Sequence, residues 1–263
     1  MRLLFCSILF VLTAVGCETS IQTTSGQEYL DRSVALDAND FTASEEFQRA
    51  AAVEPLLTFP ARIGVARLEN GQLTDIPAAE IDEWEQALAP IAADYGEFVP
   101  VNLFIADLVA PGGNASRTAY GRYRAELRQN AIRKIRLGAA RQHLDAVIVY
   151  ESYAASDSKK TQLALADLTL IGAYLTPSRK INATGAAAAL LFDVRNGYPY
   201  GATTVSVEDD KRSTAFSEND TKTSLEDLVK AQAVAKLAGE IATDMLPRLK
   251  TELAAPEAPP AGG

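Results

Sequence analysis

Side chains suited to chemistry are scarce in this 263-residue chain, which has one histidine, His143, and two cysteines, Cys6 and Cys17. One histidine alone is not a metal site, because a structural or catalytic centre needs three or four soft ligands together. As a general base, His143 would need a nucleophile and an orienting acid within reach. It falls at a predicted helix end, where the expected role is contact with the last helix carbonyls. No GxGxxG, Walker-A or GxSxG pattern occurs. Carboxylates cluster at Glu208-Asp209-Asp210 and Glu218-Asn219-Asp220. These runs lack the spaced ligands and glycine of a calcium loop, so solvated loops are expected. A glycosidase-like pair is defined by a distance in space and stays open. No catalytic residue, metal or cofactor is assigned.

One concentration of charge survives this pruning. From Arg117 to Arg141 eight basic residues face a single acid, Glu126, in a chain whose formal net charge is -9. Arg122, Arg133 and Arg136 fall on the side away from the apolar stripe of a predicted helix and are expected to meet an acidic partner, glycan carboxylates or lipid phosphates. The competing expectation is that they balance acids such as Glu80–Glu85 on a neighbouring helix. Tyr198 and Tyr200 are the other partner-binding candidates. The overall negative charge argues against nucleic acid as a partner.

The N-terminus reads as an export signal. Arg2 precedes an apolar run, Leu3 to Val15, too short for a membrane-spanning helix of about 20 residues. Ala14-Val15-Gly16-Cys17 resembles the lipobox of bacterial lipoproteins, with Ala14 in place of the usual leucine. That resemblance makes Gly16 the last signal residue and Cys17 an acylated N-terminus, anchored by its acyl chains. An ordinary secretory signal beside a cysteine is the alternative. Aspartate after the cysteine would retain such a protein at the inner membrane; Glu18 favours the periplasmic face of the outer membrane.

Residues 17–40 are polar and weakly periodic, and are expected to form a flexible tether after the signal at 1–16. Residues 41–253 are expected to form one domain, and 254–263 a Pro/Gly/Ala tail. Within the domain a short helix is expected over Thr42–Val53. A strand at ARIGVARL follows, then a helix over Ala79–Tyr95 broken near Pro90. Phe98–Ile105 is expected to be a strand, and Thr118–Leu144 a long helix with Leu127, Ala131, Ile135 and Ala139 inward. DAVIVYESY gives the next strand, followed by a polar turn at Ser156–Thr161. Strands are expected over Leu163–Leu175, Thr184–Arg195 and Tyr200–Glu208, with a turn at Asn196-Gly197. The last helix, Ser224–Leu249, carries a stripe of Leu228, Ala231, Ala235, Ala238, Ala242, Met245 and Leu249. Its alanines would allow close packing on a sheet, and Pro247 is expected to end it early. The fold class is α/β, a mixed sheet built from βαβαβ followed by an antiparallel meander and a C-terminal helix.

This order of elements, with LLFDVRNGYPYG in the meander, resembles the periplasmic lipoproteins grouped around the curli secretion lipoprotein, the penicillin-binding-protein activator lipoproteins and the TolB N-terminal domain. The residues that carry the likeness are Leu190, Leu191, Phe192, Asp193 and Gly197, together with the aspartate of DAVIVY. The group implies an outer-membrane-anchored, non-catalytic protein that docks envelope proteins in assembly, secretion or cell-wall-enzyme regulation, with self-association open. The alternative is a hydrolase or ligand-binding domain acting on envelope material.

Overall fold

The computed structural model describes residues 18–36, 45–109, 120–160, 179–213 and 218–255. β2 (Ala61–Glu69) is the spine of the sheet. Its residues are buried on both faces over most of its length, as a continuous apolar run requires. It pairs in parallel with β5 (Ala146–Lys160) on one side and with β4 (Gly96–Pro100) on the other. β3 (Gln72–Thr74) turns back antiparallel on the far end of β2. β6 (Arg179–Asp193) and β7 (Pro199–Ser213) continue antiparallel from β5, and β1 (Glu18–Ile21) closes that side against β7. The sheet order is β1-β7-β6-β5-β2-β3, with β4 also on β2.

Two helical layers cover this mixed sheet. The connection from β2 to β4 runs through α3 (Ala78–Leu88), a 3-10 turn at Ala89–Ile91 and α4 (Ala92–Tyr95). The break falls at Pro90, as expected. The return from β4 to β5 runs the other way through α5 (Leu103–Val109) and α6 (Tyr120–Arg141). Reversing direction while keeping one handedness puts α3 and α6 on opposite faces. Ile63, Val65, Ile148 and Leu191 thus pack with Trp84, Leu88 and Leu237, whereas Val147, Val149 and Phe192 pack with Ala131, Ile135 and Ala139 of α6. The side chain of Leu127 lies outside the described residues.

Several expectations are corrected. LFIADLV is a helix, not the end of a strand: Pro100 stops β4, and Asn102 Oδ1 accepts the Ile105 N–H at 3.1 Å as an N-cap. β5 runs through the expected turn to Lys160, paired with β6 down to Arg179. The strand expected at Leu163–Leu175 lies outside the described residues. The supposed tether holds β1 and α1 (Gly26–Leu36), ahead of α2 (Glu45–Ala51).

The C-terminal helix α7 (Glu218–Glu240) passes through a π turn at Ile241–Met245 into α8 (Leu246–Ala254), so Pro247 does not end it. Pro247 stands at the start of α8, where a missing N–H is tolerated. A π turn adds a residue to the helical repeat, and the buried stripe shifts accordingly. Upstream of it the buried residues are Leu225, Val229, Ala233, Val234, Leu237 and Ala238, while Leu228 is exposed; Ala238, Ala242, Met245 and Leu249 are buried as expected.

Candidate functional site

LFDVRNGYPY forms the end of β6, a turn and the start of β7. The connection is longer than a two-residue hairpin. Gly197 takes a φ of 81°, and its N–H reaches the Asp193 carbonyl at 3.0 Å. Pro199 opens β7, where no ladder donor is lost inside the strand. Asn196 Oδ1 accepts the Tyr198 N–H, and its Nδ2 donates to the Glu54 carbonyl.

Asp193 is fully buried at this turn. Its Oδ1 accepts from the Arg195 backbone N–H at 2.8 Å, and the Arg195 guanidinium reaches both oxygens, at 3.2 and 3.0 Å. Tyr200 donates its hydroxyl to Oδ2 at 3.0 Å. Burial alone would raise the Asp193 pKa, but Arg195 and Tyr200 outweigh it and hold the carboxyl below its ordinary range. Tyr200 is pushed the other way, well above an ordinary phenol, by burial and by the Asp193 charge. Its neutral oxygen also accepts the N–H groups of Leu56 and Leu57 at 2.9 and 2.7 Å. Tyr198 donates to the Thr24 carbonyl at 2.7 Å.

These contacts correct the roles expected for Tyr198 and Tyr200. Both are buried, and they fasten the N-terminal segment to the body in place of facing a partner. Asp145, the aspartate of DAVIVY, acts similarly: its Oδ2 accepts the Arg62 N–H at 2.9 Å and joins β5 to β2.

Beside this turn a cleft of about 1030 Å³ lies between the last turns of α6 and residues Val194–Arg195. Ile132, Leu137 and Ala140 supply apolar surface, and Arg133, Arg136 and His143 supply polar groups. Leu137 is 37% exposed. Arg136 is committed internally. Its Nε donates to the Val194 carbonyl at 3.1 Å and its Nη2 to the Arg195 carbonyl at 3.0 Å, clamping the turn. Arg133 and His143 are exposed and, among the described residues, have no ion-pair partner. His143 itself ends α6 with a φ of 57°. Its N–H bonds to the Ala140 carbonyl and that of Leu144 to the Ala139 carbonyl, a Schellman ending in which histidine occupies the usual glycine position.

The acids of α3 do not balance this helix, because they lie across the sheet. Glu80 is buried with Arg67, whose Nε is 3.2 Å away, and accepts the Tyr150 hydroxyl at 2.5 Å. On the α6 side, Lys134 pairs with Asp107 of α5. Cys17 and the side chain of Arg122 lie outside the described residues. Among the described residues no group of three or more His, Cys, Asp or Glu is placed to hold a metal ion, and no helix is long and apolar enough to cross a membrane.

No protein-family model matches the chain, and no curated protein matches it. Among solved structures, a minor lipoprotein from Acinetobacter baumannii is 8% identical with a TM-score of 0.36, over 74% of this chain and 95% of that one. A PelC dodecamer from Paraburkholderia phytofirmans is 13% identical with a TM-score of 0.29, over 72% and 93%. A lipoprotein from Neisseria meningitidis is 16% identical with a TM-score of 0.26, over 69% and 99%.

Proposed function

We propose that the chain is a lipid-anchored envelope protein of the outer membrane's periplasmic face, and that it docks a partner protein without catalysis of its own. The anchor is Cys17, supported by the apolar leader and the AVGC sequence. Kinship with the curli secretion, penicillin-binding-protein activator and TolB N-terminal group is part of this reading, supported by the Asp193–Gly197 turn and the order of elements.

One observation carries the docking surface. In a chain of net charge -9, the α6 cleft sets exposed Arg133 and His143 beside the half-exposed Leu137. A solvent-facing apolar patch rimmed by a cation with no ion-pair partner among the described residues fits a carboxylate-bearing protein surface with an apolar residue at its centre. Arg133, which has no ion-pair partner among the described residues, is the residue to reverse; reversing Arg136 would damage the turn as well. A photo-crosslinking residue at Leu137 in intact cells should give a discrete protein adduct. Arg133→Glu should remove that adduct while leaving the unfolding midpoint unchanged. An adduct indifferent to Arg133→Glu, or none at all, contradicts the docking role.

A further inference from the structure

We propose that the lipid on residue 17 seats the body directly on the bilayer, with the β1–β7 edge of the sheet against the leaflet that holds the acyl chains. This rests on the lipidation reading above and adds to it the orientation of the body and the occupant of that edge.

Glu18 is the first residue of β1 and lies opposite Thr204 of β7. Residue 17 is bonded to it, and neighbouring Cα atoms are about 3.8 Å apart. No slack chain therefore separates an acylated residue 17 from the sheet. A flexible tether over residues 17–40 would have given a reach of roughly 27 Å.

β1 is also held from several sides. Thr203 Oγ1 donates to Thr19 Oγ1 at 3.2 Å, and Thr19 Oγ1 donates to Glu240 at 3.4 Å. Ile21 packs on the main core, and the Gln22 N–H bonds to the Tyr200 carbonyl at 2.8 Å. A pull on residue 17 is thus transmitted to β7 and to the end of α7. The opposite edge, β3, is five strand positions away, about 24 Å at ordinary strand spacing. A seated body therefore has a near edge and a far edge. Within the described sheet β1 is the terminal strand. Open edges invite pairing with another chain, and an abutting bilayer would block that approach.

The test uses the full-length lipidated protein, extracted from membranes and reconstituted into phosphatidylethanolamine–phosphatidylglycerol vesicles carrying headgroup spin-labelled lipid. Acylation of Cys17 and removal of the leader leave no competing thiol for a fluorophore. Labels at Thr204→Cys and Ser20→Cys report the near edge, and one at Gln72→Cys the far edge; all three positions are exposed. The two near labels should be quenched several-fold more than the far one. Fifteen Gly/Ser residues inserted between Cys17 and Glu18 should abolish the difference while the protein stays anchored. Equal quenching at both edges of an anchored protein overturns the seating and leaves the lipid reading intact. Crosslinks between copies at position 204 in place of quenching overturn it in favour of edge pairing. A protein that floats free of the vesicles and lacks acyl mass overturns both.

Discussion

Tyr200 makes three hydrogen bonds with one oxygen. It donates to Asp193 and accepts from the backbone of Leu56 and Leu57, so removing that oxygen leaves one buried donor, one part-buried donor and a carboxylate lone pair unsatisfied. Tyr200→Phe should lower unfolding free energy by about 3 kcal/mol, read from denaturant curves. The Asp193 charge has a pH signature. Its folded pKa lies below the unfolded value of 3.8. The stability it contributes is therefore present above that value and lost as pH falls through the folded one. Asp193→Asn should flatten the acid limb of a stability–pH profile; an unchanged limb would remove Asp193 from this account. The aspartate, the turn glycine and the two tyrosines could all be singled out in the sequence. What the tyrosines touch could not, because Leu56 is 144 positions from Tyr200. An aromatic pair without that partner reads as a surface.

At the scale of elements, the helix α7 lies close against the sheet at Gly185. A methyl group there would sit 2.3 Å from the Val229 carbonyl oxygen and 2.6 Å from its carbon. Both are backbone atoms, so α7 must lift. Gly185→Ala should cost about 3 kcal/mol, measured by thermal or denaturant unfolding, with Leu225 and Val229 gaining hydrogen-exchange or proteolytic access. The α6 stripe was legible because the helix is regular and its apolar residues recur every four positions. The α7 stripe was legible from Ala238 onward; uniform periodicity carried back through the π turn misplaces Leu228, Ala231 and Ala235, which are exposed or only partly buried. The helix at 103–109 was hidden by an apolar run that suits a strand equally well; its signals were Pro100 and the capping Asn102. β1 carried almost no signal. Four residues, half exposed, have a pattern only once β7 is beside them.

For the whole molecule, two features distinguish this chain from a tethered domain. The net charge of -9 leaves the cationic end of α6 as a local exception, close to the Asp193 turn. Glu18 is paired with Thr204 in the sheet, so an anchor at residue 17 would hold the body at the membrane and fix which edge meets it. Both the location and the orientation depend on the chemistry of one sulfur. Intact-mass and peptide mass spectrometry of the protein extracted from its own cells tests this directly. The mature chain should begin at Cys17, with the added mass of a diacylglyceryl group and an N-acyl chain. A chain that retains its leader, or begins with an unmodified Cys17, would contradict the envelope assignment.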